Sequence, residues 1–248
     1  MDAATVMEIA PDIFRISMFL PTQKLEFNEF LVRDEQPLLF HTGPRKTFGE
    51  VLAAVRTVID PTKLRWIGFS HFEADECGAL NEWLTVAPDA QAVCSQVAVN
   101  VNVNDFAEKP GKALAHNEVL ATGQRRFRFL RTPHVPHTWE AGLMFEETQR
   151  ILFCSDLFFQ SGQHPALTES EVASAAADTL KKYQSSPMAN SVAYTPYTDR
   201  IMAGLAALEP AALAIMHGPT YRGDCAGQLR ALAASTKELL ANDTTWRN

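Results

Sequence analysis

Ser70-His71-Phe72-Glu73-Ala74-Asp75-Glu76-Cys77-Gly78 is the stretch on which the reading of this chain turns. One imidazole and three carboxylates fall within six residues, directly after the apolar run Leu64-Arg-Trp-Ile-Gly-Phe69. That run has the length and composition of a buried strand, so the acids leave one strand end together. Packing a core does not require such a group, and unpaired buried carboxylates are costly. A bound cation supplies the missing positive charge. The plain alternative is a solvated acidic turn, with a helix N-terminus favouring Asp75 and Glu76.

Three more strand ends carry residues of the same kind. The alternating run Arg126-Phe-Arg-Phe-Leu130 leads into Thr132-Pro-His-Val-Pro-His-Thr-Trp-Glu140, a proline-stiffened loop with His134 and His137. Ile151-Leu-Phe-Cys154 runs into Ser155-Asp156, and Ala212-Leu-Ala-Ile-Met216 into His217-Gly218. A single histidine after a strand is usually structural. Four independent strand ends, each with an acid or an imidazole, are hard to assign to chance, and ligands of helix-flanked sheets gather at strand ends.

Around these points the chain alternates strands and helices. Asp12 to Met18 alternates apolar and polar residues, and Phe30-Leu-Val and Pro37-Leu-Leu-Phe40 flank Asp34-Glu-Gln as a hairpin. Thr47–Ile59 and Leu80–Val86 read as helices, Ala92–Cys94 and Gly142–Phe145 as strands. Glu169–Tyr183, Asp199–Leu208 and Cys225–Ala241 read as further helices, the last with Asp224 as its N-cap. No repeat, low-complexity tract or Gly/Ser linker divides the chain, so residues 1–248 are expected to form one domain of the α/β class. A content of 46% hydrophobic and 21% charged residues is ordinary for a globular protein. The 22 basic against 29 acidic residues give a net charge of −7, which argues against nucleic acid or an anionic membrane as partner. No apolar run reaches the roughly 18 to 20 residues that span a bilayer. The N-terminal stretch lacks a signal segment, and four widely spaced cysteines suit reduced thiols, so a cytoplasmic location is expected.

The order of these features resembles the metallo-β-lactamase superfamily, and within it the flavodiiron proteins and the oxygen-binding diiron proteins. In that iron branch the first loop reads HxExD, as His71-x-Glu73-x-Asp75 does here. The segment from His134 to Gly142, followed by Phe145-Glu-Glu and Leu152-Phe-Cys-Ser-Asp156-Leu-Phe, is similar to the oxygen-binding diiron proteins. The resemblance implies an αββα sandwich of two mixed β-sheets flanked by helices, with metals at one edge. It also implies that one iron takes His71, Glu73 and His137, the other takes Asp75 and His217, and Asp156 bridges them. Glu76 departs from the pattern, which has a histidine serving the second metal; a carboxylate can also coordinate. His134 is expected to orient a ligand rather than to bind. The donor chemistry agrees, since anionic oxygens suit iron or manganese and zinc leans towards imidazole and thiolate. Two iron ions are therefore expected, with zinc or manganese as alternatives. The chain stops at Asn248, soon after its last helix, so no flavodoxin domain and no flavin are expected in it.

Other residues carry weaker signals. Tyr194, Tyr197 and Trp139 are candidates to line the metal cavity, against ordinary aromatic packing. His41-Thr-Gly43 stands where many superfamily members have Asp-Thr-Gly, and is read as structural or as support for a ligand. Arg125, Arg126, Arg128 and Arg131 read as a solvated strand face, and Cys77 and Cys154 as packing residues. The function expected is a non-haem diiron protein that binds dioxygen or nitric oxide and reduces it when a separate electron donor is supplied. The alternative is a zinc or mixed-metal hydrolase acting on an ester, thioester, lactone or phosphodiester. A single-metal or metal-free binding module is a third reading. Superfamily members often form homodimers, though no exposed apolar stripe requires it here.

Overall fold

The computed structural model describes residues 3–241. Met1 and Asp2 of the N-terminal stretch, and the residues after Ala241, lie outside the described residues. Among the described residues, β1 (Thr5–Ala10), β2 (Ile13–Leu20), β3 (Leu25–Val32), β4 (Leu38–Phe40), β5 (Trp66–Gly68), β6 (Gln91–Ser95) and β7 (Lys112–Leu114) form a seven-stranded sheet in that order. β1 to β4 pair antiparallel and β4 to β7 parallel. The second sheet takes β8 (Val119–Ala121), β9 (Arg126–Arg131), β10 (Gly142–Glu146), β11 (Ile151–Ser155), β12 (Leu167–Thr168), β13 (Ala212–Ile215) and β14 (Thr220–Arg222). Its order is β12-β14-β13-β11-β10-β9-β8, with β11–β13 and β12–β14 parallel. Both sheets are mixed, and the chain completes the first before it starts the second.

Side-chain parity sorts the apolar residues into layers, because successive strand residues point to opposite faces. On β2, Phe14, Ile16 and Met18 join Leu31 of β3 on the outer face of the first sheet. There α1 (Phe48–Arg56) contributes Val51, Leu52 and Val55, while α3 (Leu80–Val86) contributes Leu80, Trp83 and Leu84. Ile13, Phe30, Phe40, Phe127, Phe129 and Phe153 fill the space between the sheets. On the far side, α6 (Ala173–Tyr183), α7 (Thr198–Ala207) and α8 (Cys225–Leu240) cover the second sheet with residues such as Ala176, Met202 and Leu229. The short helices α2 (Ala74–Cys77), α4 (Gln96–Ala98) and α5 (Asn104–Phe106) lie on the first half, with a π turn at Val99–Val103 joining the last two. Each buried Leu or Phe contributes on the order of 1.5–3 kcal/mol, so three apolar layers hold an αββα sandwich of the expected class.

Several expectations shift. The helix expected from Glu169 begins at Ala173. Leu167–Thr168 are drawn into the sheet beside β14, and the Gln228 side chain of α8 accepts from the Val172 and Ala173 amides, which fixes the start. Arg125 is not on a solvated face: it is 8% exposed and donates to the Pro11 carbonyl. The polar side of β2 is likewise buried at Arg15 and Ser17. Gly142 joins the two sheets, its amide donating to the Ser70 carbonyl at 2.9 Å. A Cβ there would lie 2.1 Å from Phe129 Cζ, so only glycine fits. Among the described residues, no helix is long and apolar enough to cross a membrane.

Candidate metal centre

The four strand ends singled out in the sequence meet at one edge of the sandwich. After β5 the chain turns through His71 and Glu73 into the single-turn helix α2, which carries Asp75 and Glu76 in its first turn. The loop after β9 is tied by Thr132 Oγ1 donating to the Val135 carbonyl and the His134 amide donating to the Thr138 carbonyl. His134 and Thr138 take left-handed φ values of 61° and 59°, and Ser155 and Phe158, on either side of Asp156, take 51° and 66°. Non-glycine residues hold such conformations only where the surroundings over-determine them, and they cluster at functional sites.

Asp156 lies at the centre. Its Oδ2 is 3.0 Å from His137 Nε2 and 3.6 Å from His71 Nε2. Its Oδ1 is 3.2 Å from His217 Nε2, without hydrogen-bond alignment. His217 Nε2 is also 3.2 Å from Asp75 Oδ2, and His137 Nε2 is 3.7 Å from Glu73 Oε1. Donor atoms of His71, Glu73 and His137 lie within 4.8 Å of one another, as do those of His71, Glu76 and Asp156. Glu76 is fully buried, and its Oε1 lies 3.4 Å from His71 Nε2. Donor atoms of Glu73, Asp75 and Glu76 also lie within 4.8 Å of one another, so Glu76 stands between His71 and Asp75, within reach of both halves of the site.

Each imidazole is held by its other nitrogen. His217 Nδ1 donates to the Glu26 carbonyl at 2.7 Å, which leaves Nε2 facing Asp75 and Asp156. Behind it, Arg15 bonds the Glu26 carboxylate at 2.6 Å, and Asn28 Nδ2 donates to the carbonyls of Ile215 and Gly218. The polar face of β2 and β3 is thus a brace for the His217 turn. His71 Nδ1 lies 3.0 Å from Ser70 Oγ, and His137 bonds the Ser191 backbone.

The electrostatics show what is missing. Burial pushes the Glu76 carboxyl well above its ordinary value, and the charges of Asp156 and Asp75 push it further. Burial acts on Asp156 in the same direction, but the imidazoles of His137 and His217 outweigh it and hold that carboxyl well below its ordinary range. Burial also opposes the charged forms of His137 and His217. Their carboxylate neighbours, Asp156 foremost, overcome it and raise them to about 9 and about 10. Burial lowers His71 to about 4. Two imidazolium protons therefore stand in for cations among four carboxylates, and among the described residues no Lys or Arg lines the cavity. Both Glu76 oxygens and Asp156 Oδ1 are buried without a hydrogen-bond donor. Imidazoles and orphaned carboxylate oxygens converging in this way fit hard cations such as iron or manganese.

A cavity of about 210 Å³ opens from these residues towards α6, α7 and α8, with walls that include Leu157, Phe158, Phe159, Leu180, Met202 and Leu232. Phe158 and Phe159, just beyond Asp156, thus stand in the cavity wall beside the candidate metal-ligating groups. The two tyrosines expected there do not line it. Tyr194 is hydrogen-bonded to Asp199, while Tyr197 is 53% exposed and packs beneath the Arg200 guanidinium. The first turn of α7 captures both on its outer side, and Tyr183, which sequence reasoning passed over, lines the cavity instead. Trp139 points outward at 53% exposure. His134 lines the cavity, but the contact that orients His137 comes from the Ser191 backbone. Cys77 and Cys154 are buried thiols, as expected.

Comparison with known proteins adds an independent line. Residues 25–218 match the family described as ODP family beta lactamase. The rubredoxin-oxygen oxidoreductase of Megalodesulfovibrio gigas is 28% identical over 202 residues, covering 79% of this chain and 49% of the relative. The nitric oxide reductase of Moorella thermoacetica is 24% identical over 243 residues, covering 89% of this chain and 57% of the relative. This chain therefore spans about half the length of these curated relatives. The solved structure of rubredoxin oxygen:oxidoreductase from Desulfovibrio gigas superposes with a TM-score of 0.80 at 21% identity, over 97% of this chain and 63% of that one. At that identity the likeness is one of fold.

Proposed function

The chain belongs to the ODP family beta lactamase, and from that premise we propose that it is a non-haem diiron protein that binds dioxygen or nitric oxide and, with a separate electron donor, reduces it. The observation that carries the reading is the position of Asp156, with one oxygen towards His137 and His71 and the other towards His217. A single carboxylate so placed can serve two cations at once. His71, Glu73 and His137 would hold one ion, Asp75 and His217 the other, Asp156 would bridge them, and Glu76 would add an oxygen between His71 and Asp75. Iron held there would supply the redox chemistry, passing electrons from the separate donor to a bound diatomic molecule.

The protein's own residues do the rest. Leu157, Phe158, Phe159 and Met202 give an apolar molecule access and offer water few partners. The Glu26 carbonyl, the Ser191 backbone and Ser70 orient the three imidazoles. The relatives named for oxygen and nitric oxide reduction support the choice of diatomic ligand. The whole chain, residues 1–248, is read as one such unit, which draws electrons from another protein and is able to pair as a homodimer.

The test is anaerobic loading with iron(II), measurement of bound metal, and titration with dioxygen and then nitric oxide under an absorption spectrometer. Two irons per chain and a new visible band on gas addition are expected. Zinc retention, no optical change and turnover of simple esters would replace this reading with the hydrolase one.

A further inference from the structure

His41, read from the sequence as structural or as support for a ligand, follows β4. Its side chain is wholly buried and its φ is 67°. The ring lies 4.5 Å from that of Phe40, Nε2 lies 3.0 Å from Ser70 Oγ, and Nδ1 has no partner. Ser70 Oγ is in turn 3.0 Å from His71 Nδ1 and 2.7 Å from Ser155 Oγ. Ser155 Oγ reaches His71 Nδ1 at 3.4 Å. Four buried groups from three separate segments thus form one connected set behind a single imidazole of the centre.

The other two imidazoles rest on backbone groups, which cannot rotate away. His71 rests on a hydroxyl. To present the Nε2 lone pair to a cation, its Nδ1 must carry the hydrogen and donate to Ser70 Oγ. A hydroxyl is free to turn, so something must hold it as acceptor. Either His41 Nε2 donates to Ser70 Oγ and the Ser70 hydrogen goes to Ser155, or the Ser70 hydrogen goes to His41 Nε2. In both arrangements His41 removes the hydroxyl's freedom, and the whole support is neutral. Histidine ligands of metals are commonly backed by a carboxylate, a carbonyl or water, and such partners raise ligand basicity. A neutral hydroxyl gives the weaker push.

We propose that His41 is a positioning residue for the His71 side of the centre, acting through the Ser70 hydroxyl and keeping that side's support uncharged. The proposal rests on the metal reading above. The experiment compares the full chain with the variants His41→Phe, His41→Gln, His41→Asp, Ser70→Ala and the double variant His41→Phe/Ser70→Ala. Iron(II) affinity is measured anaerobically by chelator competition, and the midpoint potential by dye-mediated titration. Loss of His41 Nε2 in the Phe variant should weaken iron(II) binding about tenfold, the low end of what such supporting partners contribute. Ser70→Ala should weaken it to a similar extent, and the double variant should be no weaker than Ser70→Ala, since both act on one link. His41→Gln, which restores a polar group near the hydroxyl, should recover binding. His41→Asp places an anion behind His71 and should lower the midpoint potential. Asparagine and aspartate tolerate the left-handed backbone, so the Asp variant remains informative if the Phe variant fails to fold. Unchanged affinity in His41→Phe, additive losses in the double variant, or an unchanged potential in His41→Asp would each overturn the proposal. A wild-type chain that takes up no iron would instead strike the metal reading.

Discussion

The Nε2 atoms of His71 and His137 lie 2.8 Å apart, with Asp156 Oδ2 3.0 Å from the one on His137 and 3.6 Å from the one on His71, so three donor atoms from three strand ends are aimed at one point. Against the pull of burial, Asp156 and Glu73 raise His137 to about 9, whereas burial lowers His71 to about 4.

Metal uptake should therefore release protons. With His137 raised to about 9 and His217 to about 10, both are protonated at pH 7 in the metal-free protein, and a cation must displace them. Calorimetry of iron(II) or manganese(II) binding in buffers of different ionisation enthalpy should report release of about two protons from these imidazoles, with a further one where Glu76, pushed by burial well above its ordinary value, also binds. Affinity should rise with pH up to about 10, where the last of the two imidazoles loses its proton. Uptake without proton release would contradict the assignment of the stand-in charges.

The same groups fix a stability trend. Their values are raised above the ordinary 6.5, so the stability they contribute to the metal-free fold is complete below pH 6.5. It is lost as pH climbs through about 9 and about 10. Thermal melts of chelator-treated protein should fall between pH 7 and pH 10, and the fall should be smaller with metal bound.

Asp156→Ala should abolish binding of both ions, not one, because its two oxygens face opposite halves of the site. Metal analysis after anaerobic loading checks this. A variant that kept two ions per chain would show that the bridge lies elsewhere.

Glu76→Gln separates fold from site. Burial and the charges of Asp156 and Asp75 push the carboxyl towards its neutral form, so the amide should leave the metal-free melting temperature nearly unchanged. Metal affinity should drop, since the amide offers no anionic oxygen. A large loss of stability with intact metal binding would make Glu76 a packing residue.

Gly142→Ala should destabilise the whole protein. The new methyl would meet Phe129 at 2.1 Å beside the amide that ties β10 to Ser70. Overpacking of this kind costs roughly 1–3 kcal/mol. Denaturant unfolding measures it, and a neutral result would mean that Phe129 moves aside freely.

What could be read from the sequence was local. His71, Glu73, Asp75 and Glu76 announce themselves because acids rarely crowd behind an apolar strand, and Asp156 and His217 follow strands in the same way. Helix positions followed from periodicity and held to within a few residues, except where a distant residue decided. The start of α6 depends on Gln228, more than 50 residues away. Arg15 looked like the solvent side of an alternating strand, yet Glu26 and the Gly218 carbonyl claim it. Tyr194 and Tyr197 were placed near the cavity by chain position alone, and the first turn of α7 points them outward. His41 reads from the sequence as structural or as support for a ligand, but which ligand is not legible, because its partner Ser70 is brought to it only by the pairing of β4 with β5.

The order of the strands divides the donors cleanly. The segment that builds β1 to β7 brings His71, Glu73, Asp75 and Glu76, and the segment that builds β8 to β14 brings His137, Asp156 and His217. The exposed turn at Ala115–Asn117 is the sole covalent link between them. Cut there, the two fragments should find each other more readily in the presence of iron(II) than in its absence, and a chelator should drive them apart. The ion would then serve as the fastener of a protein in two pieces.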